Sequence, residues 1–315
     1  MARGRAFKRR SSGAVKVGQG GGVSDAVCAV KTKTSLLVTL AGILAFLSAG
    51  PAPAGSPDQE MHLQLGYDGR LLVKVLDIEV DARVDRTGFG AEAQLTSSGI
   101  LALVKHIHQV ASSQGRIEGG EARPGDFQTQ NLGGKTHRRI HTVWRSGEVS
   151  MTAQPAFDNL GEPPASPQQK LAAADPLTQL IRLTLDGSRE KTCSRSYLFF
   201  DGKQLYALDF GPAEDASLAA ADQQLGLTAP FRCDVRYREV AGFKKKPPNK
   251  KNQGLKHPIE LRFARLGTEG PLLITSLSAE TPLGKAGIEL VRLRASGHMP
   301  TRPGTALVAG LPSGR

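Results

Sequence analysis

Residues 77–84 read DIEVDARV, and the reading of this stretch decides the fold. Ile78, Val80, Ala82 and Val84 alternate with Asp77, Glu79, Asp81 and Arg83. A period of two puts the first set on one side of a strand and the second on the other, so the segment predicts a β-strand with one dry and one wet face. Shorter runs of the same kind lie on both sides of it: Met61 to Leu65, Phe89 to Leu95, Phe127 to Leu132, His137 to Trp144 and Glu148 to Ala153. In the C-terminal half, Tyr197 to Phe200 and Gln204 to Phe210 flank Asp201-Gly202, a pair whose left-handed backbone demands predict a tight two-residue hairpin connection. Further strands fit Phe231 to Val240, Ile259 to Leu266, Pro271 to Leu277 and Ile288 to Leu293. Together these make about a dozen strands, mostly antiparallel.

Two segments carry helical spacing instead. Ile100, Leu103, Val104 and Ile107 come after Ser98, a candidate N-cap, at i, i+3, i+4 and i+7. Leu177, Leu180, Ile181 and Leu185 come after Asp175-Pro176, where Asp caps and Pro suits the first helical position. Each helix has one apolar stripe to bury. A long antiparallel sheet satisfies both by curling around a helix, so the expected class is mainly β: one curled antiparallel sheet, barrel or half-barrel, with two short amphipathic helices. Gln154 to Pro167 and the lysine-rich KKKPPNKKNQG at residues 244–254 read as loops.

The N-terminus has a different character. Residues 1–34 carry eight Lys and Arg against Asp25 alone, a net of +7, and the apolar run Leu36 to Ala49 and the small-residue exit Ala52-Pro53-Ala54 come next. Basic region, short apolar core and small-residue exit make the pattern of a secretory signal. The expected organisation is a basic leader and signal peptide over 1–54, cleaved after Ala54, and a single periplasmic β-rich domain over 55–315. Retention of residues 36–49 as an inner-membrane anchor is the alternative, although the run is short of the ~20 residues that span a bilayer.

Removing the leader's +7 from the whole-chain +12 leaves +5, and Lys244, Lys245, Lys246, Lys250, Lys251 and Lys256 supply six positive charges of that remainder. The rest of the domain is near neutral, so the high isoelectric point marks a leader and one loop rather than a nucleic-acid face. The lysine loop is a candidate contact for an anionic membrane surface, weighed against a solvated hairpin loop. Of the three cysteines, Cys28 goes with the leader, and the remaining pair, Cys193 and Cys233, favours a disulfide over two buried thiols in an exported chain.

Chemistry-bearing motifs are sparse. His137 and His141 in THRRIH would share a strand face, but no partner residues complete a metal site. His106 and His108 point apart if they continue the first helix. Gly134-Lys135-Thr136 resembles the end of a phosphate loop, yet Thr129 stands where that loop needs Gly. No nucleophile elbow occurs, and neither cofactor nor metal is expected. Trp144, Tyr197, Phe199 and Phe200 read as core.

Four stretches carry a family resemblance: AAADPLTQLI at 172–181, CSRSYLFFDGKQLYAL at 193–208, FRCDVRYREVAGF at 231–243 and IELRFARLG at 259–267. With the early YDG at 67–69 and TSSGILAL at 96–103, they resemble the envelope proteins of the domain of unknown function thirty-one-zero-eight, from about Leu65 to Arg294. The resemblance implies a secreted, mostly β domain shaped like the curled-sheet lipoprotein carriers, with the two cysteines joined. It implies no catalytic residues. The expected function is therefore non-enzymatic binding of an apolar or lipidic ligand or an envelope partner, the alternatives being a structural envelope protein with a filled interior or a hydrolase.

Overall fold

In the computed structural model of the chain, residues 60–134, 136–244, 258–281 and 284–298 are described. The strand DIEVDARV becomes the greater part of β2 (Lys74–Val84), and it lies between β1 (Met61–Arg70) and β3 (Gly88–Ser97). The meander continues through β4 (His108–Glu118), β5 (Glu121–Asn131), β6 (Arg139–Arg145) and β7 (Glu148–Gln154). A second meander, β8 (Ser196–Phe200), β9 (Leu205–Asp215), β10 (Leu227–Ala241), β11 (Ile259–Leu266), β12 (Leu272–Thr281) and β13 (Gly284–Gly297), returns to the other edge of β1. The thirteen strands of the described residues form one antiparallel sheet in the order β7-β6-β5-β4-β3-β2-β1-β13-β12-β11-β10-β9-β8. The sheet is barrel-like but not closed, because its edges β7 and β8 are not paired with each other.

Between those edges runs the one long crossover among the described residues, carrying α2 (Pro167–Ala172), α3 (Pro176–Asp186) and α4 (Arg189–Thr192). Asp175 caps α3 as its position predicts, accepting from the amides of Leu177 and Thr178 (3.0 and 2.9 Å), with Pro176 at the first helical position. The apolar stripe of α3 fills the curl: Leu177 and Ile181 pack among Leu63, Leu65, Val80 and Val84. Trp144 of β6 meets Phe200 of β8 edge-on at 6.5 Å, and Ala174 forms a bridge with Phe199, so side chains and the crossover cover the gap that hydrogen bonds leave open. Tyr197, Phe199 and Phe200 are buried, as core residues.

Several expectations need correction. The connection at Asp201-Gly202 has four residues, Asp201 to Gln204, not two. Its geometry comes from the Asp201 carboxylate, which accepts from the amides of Lys203 and Gln204 at 2.9 and 2.7 Å. Gly202 has φ +94°, and a Cβ there would lie 2.4 Å from Ile140, so only glycine lets this tip pack against β6. The first predicted helix is shorter than its spacing suggested: α1 (Gly99–Val104) ends before Ile107, Ser98 makes no side-chain cap, and none of its residues is buried. The chain passes next into β4, which the helical reading obscured. The strand predicted from His137 starts at Arg139. A fifth short helix, α5 (Ala220–Gln224), joins β9 to β10.

Candidate binding groove

The wet face of DIEVDARV belongs to a larger surface. Antiparallel register aligns Arg294, Gln64, Asp81, Glu92, Ser112 and Gln128 in one row across β13, β1, β2, β3, β4 and β5. The row beside it holds Arg292, Glu79, Gln94, Val110, Gln130 and Arg139, with Gly66 leaving its place on β1 without a side chain. The sheet face opposite α3 forms a groove here, about 580 Å³ in volume, lined by both rows. Strands hold the lining in place, which suits a binding surface better than loops would.

The electrostatics of the groove are balanced. Arg139, Arg292 and Arg294 face Glu79, Asp81 and Glu92, three charges of each sign. Partial burial works against the Asp81 carboxylate, but hydrogen bonds from Gln64 and His62, at 2.9 Å each, outweigh it and hold the group below the usual carboxylate range. Arg292 pairs with Glu79, and Arg139 donates to the Gln130 carbonyl oxygen at 3.2 and 3.3 Å. With four glutamines added, the walls present amide, carboxylate and guanidinium groups of both hydrogen-bonding senses and no net charge.

A second cavity of about 500 Å³ opens beside α3 and α4, between the β4–β5 turn and β8. Arg182, Lys191 and Arg195 give it a positive cast against Asp186 and Glu121. Burial lowers the Arg182 guanidinium's affinity for its proton, while its Nε donates to the Ala122 carbonyl at 2.8 Å. Asp175 lies in the interior nearby. Its carboxylate accepts from Ser113, from the Thr178 hydroxyl and from two amides, so every lone-pair direction is taken. Burial nonetheless pushes it above the ordinary aspartate value. A carboxylate so fully engaged positions the helix and has no free lone pair for a ligand's proton.

The residues singled out in the sequence do not line this groove. Cys193 and Cys233 are both fully buried and joined in a disulfide, with Cα atoms 6.0 Å apart, tying the end of α4 to β10. Lys244 lies exposed just past β10, whereas Lys245, Lys246, Lys250 and Lys251 lie outside the described residues, as do the leader and the run 36–49. His141 donates from Nε2 to the Asp126 carboxylate at 2.8 Å, and His137 sits on the preceding loop, so the two do not share a strand. His106 and His108 are not on a helix and do not diverge as one would impose; their rings stand 6.4 Å apart, edge to face. Among the described residues no three His, Cys, Asp or Glu are grouped to hold a metal. The groove itself was missed. Its residues look in sequence like any solvated strand face, and only the register of seven strands brings them together.

No protein-family model matches the chain, and no curated protein matches it. Among solved structures it is similar to a β-barrel-like protein of the domain of unknown function DUF1849 from Brucella abortus, at 8% identity and a TM-score of 0.43, over 76% of this chain and 98% of that one.

Proposed function

We propose that this chain is an exported protein of the bacterial envelope that binds a polar, uncharged, hydroxyl-rich ligand in the groove on the outer face of the sheet, without chemistry. The single observation that carries the reading is the groove: about 580 Å³, built on seven adjacent strands and charge-balanced. Net neutrality disfavours a strongly anionic or cationic ligand, and amides beside paired charges suit a ligand that both donates and accepts hydrogen bonds. The same polarity argues against the lipidic ligand expected from a curled sheet, because α3 occupies the apolar interior where a lipid would sit. Export rests on the signal-like pattern of residues 1–54, the disulfide and the resemblance to the envelope proteins of the thirty-one-zero-eight domain.

The filled interior favours a second reading, a structural envelope protein with no ligand. Native mass spectrometry of the protein recovered from the periplasm of an expressing cell separates the two. A polar adduct that leaves on unfolding and is lost from a Ser112→Trp variant, whose indole would fill the groove, is the expected result. A clean protein mass that stays clean after incubation with envelope glycans supports the structural reading. An apolar, lipid-sized adduct unaffected by the variant would sink the groove.

A further inference from the structure

Five large apolar side chains stand in water at one rim of the sheet. Leu72 is 92% exposed and Val73 56%, at the tip of the β1–β2 hairpin; Ile100, Leu103 and Val104, on α1, are 63, 87 and 82% exposed. The two tips form one surface. Ser98 donates its amide to the Val75 carbonyl at 2.8 Å, and Gly99, with φ +54°, sits so close that a Cβ would lie 2.7 Å from the Lys74 carbonyl oxygen. A run of exposed aliphatics of this kind, confined to a protruding edge, is unusual for a protein surrounded by water.

Charge identifies what covers it. Lys105 and His106 come directly after Val104 and are exposed, and among the described residues Lys105 has no acidic partner. The carboxylates of the β1–β2 hairpin are already engaged: Asp68 by Lys74 at 2.8 Å and Arg70 at 3.3 Å, and Asp77 by Lys74 at 2.5 Å. The sheet register places the ends of β10 and β11, and with them exposed Lys244, on this same rim. Five strand spacings separate β10 from β2, about 24 Å along the sheet. We propose that this rim docks on an anionic lipid bilayer, with Leu72, Val73, Ile100, Leu103 and Val104 entering the headgroup–acyl boundary and Lys105 and Lys244 meeting lipid phosphates. Short apolar tips backed by cations are the chemistry of interfacial insertion, which reaches roughly 5–10 Å into the bilayer. The docking depends on the envelope placement proposed above for the presence of a bilayer, and it is independent of the groove.

The test uses the full chain and vesicles of phosphatidylglycerol and phosphatidylethanolamine with brominated acyl chains, which quench tryptophan on contact. The chain's single tryptophan, Trp144, is half-buried against Phe200, with its indole N–H donating to the Lys170 carbonyl, and serves as an internal control. In a Leu103→Trp, Trp144→Phe variant, tryptophan emission is expected to fall by at least about half on vesicle binding, as insertion to that depth requires. Emission from Trp144 in the unaltered chain should not change, and a Leu72→Trp variant in the same background should repeat the loss. Vesicle-bound protein whose emission stays constant at both positions overturns the proposal, because the N-terminal segment would then be the sole attachment. Absence of binding overturns it too, as does self-association through this rim that leaves the vesicles untouched. Failure of the groove experiment leaves this outcome unaffected.

Discussion

Helices α1 and α3 have nearly the same apolar spacing and end in opposite environments. Ile181 of α3 is 1% exposed inside the curl, whereas Leu103 of α1 is 87% exposed at the rim. Their connections explain the difference. α1 joins β3 to β4, which are already paired at Thr96 and His108, so both its ends are held at the sheet edge and its six residues cannot reach the interior. α3 lies on the crossover between β7 and β8, long enough to traverse the curl and deliver its stripe to both sheet halves. Periodicity shows that a helix has an apolar side, and the tether decides whether that side can be buried.

The largest expected effect concerns what holds the α3 crossover in place. The disulfide closes a loop spanning 40 residues between the end of α4 and β10. On the chain-entropy model, Cys193→Ser should lower unfolding stability by about 4 kcal/mol in oxidising buffer. In reductant, variant and parent should melt together, and a difference that persists there would mean that Cys193 acts through packing alone. The next effect compares the stripes. Ile181→Ala should cost about 3 kcal/mol through the cavity it leaves, while Leu103→Ala should stay within about 0.5 kcal/mol because it empties only solvent-facing space. Comparable losses in urea melts would refute the tether explanation.

Much of this contrast was readable in the sequence, and the unread part has a physical cause. DIEVDARV predicted both faces of β2, and Asp175-Pro176 marked the start of α3, because alternation and capping are local properties. The length of α1 was misread because Ile107 kept the helical spacing while already leading into β4. The hairpin tip at Asp201 was read one turn type too short, since the Asp side chain rather than the dipeptide backbone organises it. The groove was not legible at all: Gln64, Glu92 and Gln128 are distant in sequence, and their meeting depends on cross-strand register.

Capping separates the two helices on a smaller scale. Asp175 accepts four hydrogen bonds, and Asp175→Ala would remove the cap and leave Ser113 and Thr178 without their buried acceptor. A loss of about 2 kcal/mol is expected. Ser98 makes no capping bond with its side chain, so Ser98→Ala should be close to neutral. Chemical denaturation of the two variants in parallel decides the point, and equal losses would mean that Asp175 contributes little as a cap.

The smallest effect is a dependence on pH at the cap of α3. Burial raises the Asp175 carboxyl above its unfolded value, so between the two values the native state holds a proton that the unfolded chain has released. Stability from this group is then fully present below the ordinary carboxylate value and is lost as pH rises through the raised native one. Asn keeps the acceptor oxygen for the helix amides and cannot titrate. The advantage of the parent over Asp175→Asn should therefore be greatest in acid, shrink as pH climbs through that window and remain flat above it. Urea melts of both proteins across the acid range measure this directly. An advantage that grew with pH would show that the four hydrogen bonds favour the charged form more strongly than burial opposes it, making Asp175 an ionised cap inside the core.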